Sequence, residues 1–198
     1  MLESVLAESE EGCVKNRSFE RERLSGADLS EAEFERVRFK KCVFEGCRFS
    51  SSSFYGAEFE NCIFSGCSFS EGYFRGCNFS VCKGDGCNFS ESRFKEGLFE
   101  DSSFCYADFT KSVWENCRLK DSLFKDSAFP ESKWKKMTLA RTDLSGSDFF
   151  RTSLKDIDLS DSKIERIILS DTFRELRGAT INPFQAAELV RLLGVKVV

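Results

Sequence analysis

Stepping by five from Phe19 reaches Leu24, Leu29, Phe34 and Phe39, and the register continues unbroken to Leu169. Of the 31 positions visited, 19 are Phe, 8 Leu, 2 Trp and 1 Ile, with Gly84 the exception. Both tryptophans and 19 of the 22 phenylalanines therefore share one phase. A second column lies two residues before each centre and runs from Ala27 to Thr172. It is small at 26 of its 30 positions, as Ala, Cys, Ser, Gly or Thr. Two residues after the centre Gly recurs, at 26, 46, 56, 66, 76, 86 and 146.

A period of five fits neither an amphipathic helix nor a flat strand, whose side chains repeat every 3.6 and 2.0 residues. It demands a chain that turns a corner every five residues, with a large and a small side chain alternating inward to fill a narrow core. Glycine after the centre suits a turn with positive φ. Four such sides close a coil of 20 residues, so residues 20 apart stack at the ~4.8 Å spacing of neighbouring strands. Units such as Ala27-Asp28-Leu29-Ser30-Glu31 and Ala107-Asp108-Phe109-Thr110-Lys111 resemble the A(D/N)LXX pentapeptide repeat. That resemblance implies an all-β fold, a right-handed quadrilateral β-helix. The expected organisation is an N-terminal cap segment at 1–16, the β-helix at 17–181, and a C-terminal helix and strand at 182–198.

At the C-terminal end the centres continue, after a two-residue slip, as Leu176 and Ile181. Asn182-Pro183-Phe184-Gln185 then reads as a helix start: Asn182 as N-cap, Pro183 in the first turn, and Gln185 completing a capping box. Gly194 ends the helix, and Val195-Lys196-Val197-Val198 offers a short strand. The helix is too apolar for one coil to bury. Phe184, Leu189, Val190 and Leu193 are therefore expected to join two copies into a homodimer. The stretch from Leu176 to Val195 is similar to the tail of the Qnr-type quinolone-resistance proteins, L-x-G-x-x-(I/L)-x-x-(Y/F)-Q-A followed by an apolar helix ending in L-G-(I/V). That likeness implies a head-to-head dimer and binding, as a rod resembling duplex DNA, to DNA gyrase or topoisomerase IV. The best-known members carry loop insertions that contribute to protecting gyrase from drug. Here the register has no insertion between 19 and 169.

Eight of the ten cysteines stand in the small column: Cys42, Cys47, Cys62, Cys67, Cys77, Cys82, Cys87 and Cys117. They are expected to be buried free thiols, with Cys13 and Cys105 the two that react. The start Met1-Leu2-Glu3-Ser4 lacks the basic segment and apolar run of a signal peptide. No stretch is long and apolar enough for a membrane span. The expected setting is thus cytoplasmic. The sequence has no His, no phosphate loop, no nucleophile elbow and no zinc-type cysteine spacing. Neither an enzyme nor a cofactor or metal site is expected. Gly84 breaks the aromatic column. It reads either as a notch or hinge, or as a gap filled by stacked neighbours such as Phe64 and Phe104.

Charge separates by side. The sides containing Phe19 and Leu24 sum to 0 and −1, the side of Leu29, Phe49 and Phe69 to −5, and the side of Phe34, Phe54 and Phe74 to +3. The negative side carries Asp28, Glu31, Glu71, Glu91, Asp108, Glu131 and Asp148, beside a column of hydroxyls. An acidic stripe on a rod can imitate a phosphate ladder for a basic DNA-binding groove. The overall charge of −4 speaks against a general nucleic-acid binder. The expected function is a DNA-mimicking regulator of a type II topoisomerase. The alternative is a structural or adaptor β-helix with an unrelated protein partner.

Overall fold

The computed structural model describes residues 2, 12–192 and 194–196. Its body is a parallel β-solenoid with four sides. One side is a seven-stranded parallel sheet of β1 (Cys13–Lys15), β4 (Glu33–Glu35), β7 (Ser53–Tyr55), β10 (Tyr73–Arg75), β12 (Arg93–Lys95), β14 (Val113–Glu115) and β16 (Lys133–Lys135). The next side is also seven-stranded: β2 (Ser18–Glu20), β5 (Arg38–Lys40), β8 (Glu58–Glu60), β11 (Asn78–Ser80), β13 (Leu98–Glu100), β15 (Arg118–Lys120) and β17 (Thr138–Ala140). The third begins as β3 (Arg23–Ser25), β6 (Val43–Glu45) and β9 (Ile63–Ser65) and continues as single bridges from Ile63 to Lys163. The fourth is held by single bridges alone, from Asp28 to Ile168. The first strand starts at Cys13, with Val14 as its centre. The repeat therefore begins inside the segment expected to be a separate cap.

Every strand is three residues long, with its centre buried and its neighbours outward. Pairing is in register at 20 residues, so Phe34 stacks on Phe54, Phe54 on Phe74 and Phe74 on Phe94. Ring centroids in this column are 4.8–4.9 Å apart and nearly parallel. Rings on adjacent sides meet edge-on, as Phe44 and Phe49 do at 5.5 Å and 79°. Both geometries are the favoured ones for aromatic pairs.

The small column turns out to be a column of donors. The thiols of Cys42, Cys62, Cys67 and Cys77 each donate to the carbonyl of the centre residue 23 positions earlier: Phe19, Phe39, Phe44 and Phe54. Ser52, Ser127, Ser132 and Ser147 do the same with hydroxyls, to Leu29, Phe104, Phe109 and Phe124. Cys, Ser and Thr interchange there because each is small and each carries one proton to satisfy a buried carbonyl. The sequence shows glycine at only seven of the corners after a centre. In fact every corner from Asn16 to Asp156 has positive φ, whatever its residue. The conformation is held by inter-coil bonds from the corner N–H, such as Glu71 N to Ser90 O at 2.8 Å. The left-handed geometry costs about 1–2 kcal/mol for an ordinary residue, so repetition of these bonds, not glycine alone, sustains it.

At the C-terminal end the two-residue slip is visible. Asp158 bridges to Thr180, an offset of 22 in place of 20. Helix α1 (Pro183–Leu192) then closes the coil. Asn182 N donates to Gln185 Oε1 at 2.8 Å and Gln185 N to Asn182 Oδ1 at 2.9 Å, the expected capping box. Gln185 Nε2 also donates to the carbonyls of Leu159 and Ser162, and Asn182 Nδ2 to that of Ser160. The helix thus covers carbonyl acceptors on the last coil that a further coil would otherwise have met.

Candidate functional site: the acidic side

The four-sided frame brings the seven predicted acids onto one side, in two columns. Asp28, Asp108 and Asp148 belong to a single bridged column with Arg48, Ser68, Asn88 and Ala128 between them. Glu31, Glu71, Glu91 and Glu131 occupy the corner column, at φ of 61°, 57°, 59° and 56°. Their order along the rod is Glu31, Ser51, Glu71, Glu91, Lys111, Glu131, Arg151, fixed by corner N–H bonds from each coil to the next.

The aspartates are partly engaged with their own backbone. Asp108 Oδ1 accepts from Thr110 N and Asp148 Oδ1 from Phe150 N, both at 2.8 Å. Asn88 makes the same turn with Ser90 N. The repeat therefore favours Asp or Asn here for turn geometry, independently of any partner. Asp28 is tied further: Arg48 Nη2 lies 2.6 Å from its Oδ2, and Ser30 donates to Oδ1. The Arg48 guanidinium, then the Ser30 hydroxyl, hold its carboxyl well below the usual carboxylate range. Glu131 faces Arg151 at 3.5 Å. Glu71 and Glu91 stand in adjacent coils with no ion pair among the described residues, and Asp108 follows one coil on. Glu31 and Asp148 likewise have no ion pair among the described residues, so five of the seven acids are unneutralised, and Glu71, Glu91 and Asp108 are the three that fall in consecutive coils. Summing charge by side could not show that Arg48 and Arg151 stack against Asp28 and Glu131.

The C-terminal residues divide. Phe184 is 85% exposed, while Leu189 is only 8% exposed and packs in the chain's own core. Val190 is half-buried. Leu193 lies outside the described residues, as do Val197 and Val198. Leu189 thus serves the intramolecular cap, while the ring of Phe184 is left exposed.

All ten cysteines are free thiols, and the eight column cysteines are buried. Burial pushes the Cys77 thiol up to about 12 and that of Cys87 to about 11. Cys105, expected to be reactive, is only 9% exposed, lying 3.5 Å from Ser103 Oγ. Cys13 is half-exposed, but burial and then its bond to Glu33 raise its pKa. Cys13 is therefore not an activated nucleophile, and Cys105 is shielded by burial. At Gly84 the ring of Phe104 fills the gap, and no notch opens. No group of three metal-ligating side chains converges among the described residues. Nor is any described helix long and apolar enough to cross a membrane.

A comparison with curated proteins found no match. Among solved structures the chain is similar to two trypsin-treated variants of QnrB1, a plasmid-mediated fluoroquinolone resistance protein. One has a TM-score of 0.58 and 22% identity, covering 94% of this chain and 98% of that one. The other has a TM-score of 0.51 and 21% identity, covering 92% and 100%. HetL, a pentapeptide repeat protein involved in heterocyst differentiation regulation in the cyanobacterium Nostoc, has a TM-score of 0.35 and 13% identity, covering 85% and 86%. Two family descriptions match the sequence, pentapeptide repeat region over residues 52–129 and pentapeptide repeats (8 copies) over residues 16–46. With its five-residue register, four-sided solenoid and stacked aromatic columns, the chain belongs to the pentapeptide-repeat family.

Proposed function

We propose that this protein binds a type II DNA topoisomerase, DNA gyrase or topoisomerase IV, as a DNA-mimicking rod and modulates its activity. The observation that carries the reading is the unneutralised acid of Glu71, Glu91 and Asp108, spaced along one side of a regular rod. Charges repeated at the coil spacing offer a basic groove the linear pattern that a phosphate backbone would. The shared fold with QnrB1 supports it, since that protein is a fluoroquinolone resistance protein. The protein acts by occupying a site rather than by catalysis. Two rods meet through the exposed Phe184 of α1, and quinolone protection follows from the same occupancy.

The test is gyrase supercoiling with and without a fluoroquinolone, at increasing concentrations of this protein. Inhibition of supercoiling, or rescue from the drug, supports the reading. No effect on either gyrase or topoisomerase IV would replace it with an adaptor β-helix serving an unrelated protein.

A further inference from the structure

Several ion pairs on this rod join residues 20 apart, one coil above the other. They are Arg38 with Glu58, Lys40 with Glu60, Arg48 with Asp28, Lys120 with Glu100, Arg141 with Asp121 and Arg151 with Glu131. The outer face of β10, β12, β14 and β16, with the corner that follows β16, has an excess of cations over acids. There Arg75 is in register with Lys95, cation over cation. Arg93, Lys95, Lys133 and Lys136 have no ion pair among the described residues. Glu115 stands between Lys95 and Lys135, 3.7 Å from Lys135, and Arg75 reaches Glu96 only at 3.9 Å. Like charges directly opposite in a sheet are destabilising.

The same face carries two aromatic rings. Tyr73 on β10 and Tyr55 on β7 point outward, half-buried, with centroids 5.6 Å apart. From Tyr73 to Lys133 is three strand spacings, about 14 Å. Cations repeated along a line, continuous with outward aromatic rings on an open sheet, are the two elements by which single strands are held. Backbone phosphates meet the cations and bases stack on the rings.

We propose that the outer face of β7, β10, β12, β14 and β16 binds single-stranded nucleic acid, with Arg75, Arg93, Lys95, Lys133, Lys135 and Lys136 on the phosphates and Tyr55 and Tyr73 under the bases. An acidic protein surface would use the cations but has nothing to place on the tyrosines. The face adjoins the acidic side and does not include it, so this inference stands apart from topoisomerase binding.

The experiment is fluorescence anisotropy of a labelled oligothymidylate against the purified protein, without any enzyme present, over a range of salt. Binding should be measurable at low salt and weaken linearly on a log–log scale as salt rises. The triple variant Lys133→Glu, Lys135→Glu, Lys136→Glu should lose about tenfold or more in affinity. Tyr55→Ala with Tyr73→Ala should also lose about tenfold, the size expected for a stacked base. Glu115→Lys, which removes the acid between Lys95 and Lys135, should bind more tightly, a gain that misfolding cannot imitate. Absence of binding at low salt overturns the proposal. So does polyglutamate binding as tightly as the oligonucleotide while the tyrosine variants are indifferent, which would make this face a dock for an acidic protein.

Discussion

Phe104 occupies the place of the side chain that Gly84 lacks: a β-carbon at position 84 would lie 2.5 Å from Phe104 Cε1 and 2.7 Å from Cδ1. The aromatic column is therefore continuous in substance though broken in sequence. Restoring a side chain overpacks the site. Gly84→Ala should destabilise by about 1–3 kcal/mol, and Gly84→Phe by more. Thermal unfolding checks this, with a control: in a Phe104→Ala background the penalty of Gly84→Ala should shrink, because the two residues share one space.

Val81 is a β-branched residue at a corner, with φ of 55° and 51% exposure. Such residues rarely adopt that conformation. Its N–H bond to Glu100 O at 3.0 Å does not depend on the side chain. Val81→Asn should therefore stabilise the protein by about 1 kcal/mol, read as a higher midpoint in urea. An unchanged or lower midpoint would mean that the exposed isopropyl group packs on something that matters.

Much of this was legible in the sequence, and the reasons for the remainder are physical. The phase of Phe34, Phe54 and Phe74 specified the inward column, since only a fixed-length coil repeats a large side chain every five residues. Asn182 and Gln185 announced the capping box because that interaction is local. Non-local contacts were not readable. A charge sum by side gives a net value but not the pairing, and Arg48 and Arg151 sit one coil away from Asp28 and Glu131. Apolarity put Leu189 and Phe184 in one group, although only the inward face of α1 meets the last coil. Position off the small column made Cys105 look open, while the fold buries it beside Ser103.

The thiols give a direct check on the core. An aromatic disulfide reagent under native conditions should modify Cys13 alone, and slowly, because burial and Glu33 disfavour its thiolate. Cys105 and the eight column cysteines should react only after denaturation. Fast native labelling of Cys62 or Cys87 would contradict the inward column.

Phe184 and Leu189 separate capping from association. Phe184→Asp should leave the melting temperature nearly unchanged and convert a dimer to monomer in sedimentation velocity. Leu189→Asp should lower the melting temperature whatever the oligomeric state, because it buries a charge against the last coil at a cost of several kcal/mol. A Phe184→Asp protein that still sediments as a dimer would place the interface elsewhere.

Charge reversal tests the acidic side. Glu71→Lys, Glu91→Lys and Asp108→Lys together should abolish inhibition of supercoiling, and wild-type binding to gyrase should weaken steeply with salt. Reversing Lys133, Lys135 and Lys136 to Glu should leave inhibition unchanged or raised. Both triples alter net charge by the same amount in opposite directions. Equal loss in both would therefore point to a general disturbance and not to a side.

The corner conformation has a consequence for how such a surface changes over time. Because the left-handed turn at Glu31, Glu71 or Lys111 is held by main-chain bonds between coils, the letter written at each corner is nearly independent of the spool beneath it. One substitution moves a charge by one thread of the screw, about 4.8 Å along the axis, and leaves the neighbouring threads as they were. A rod built this way can be retuned to a different groove one notch at a time, without passing through an unfolded ancestor.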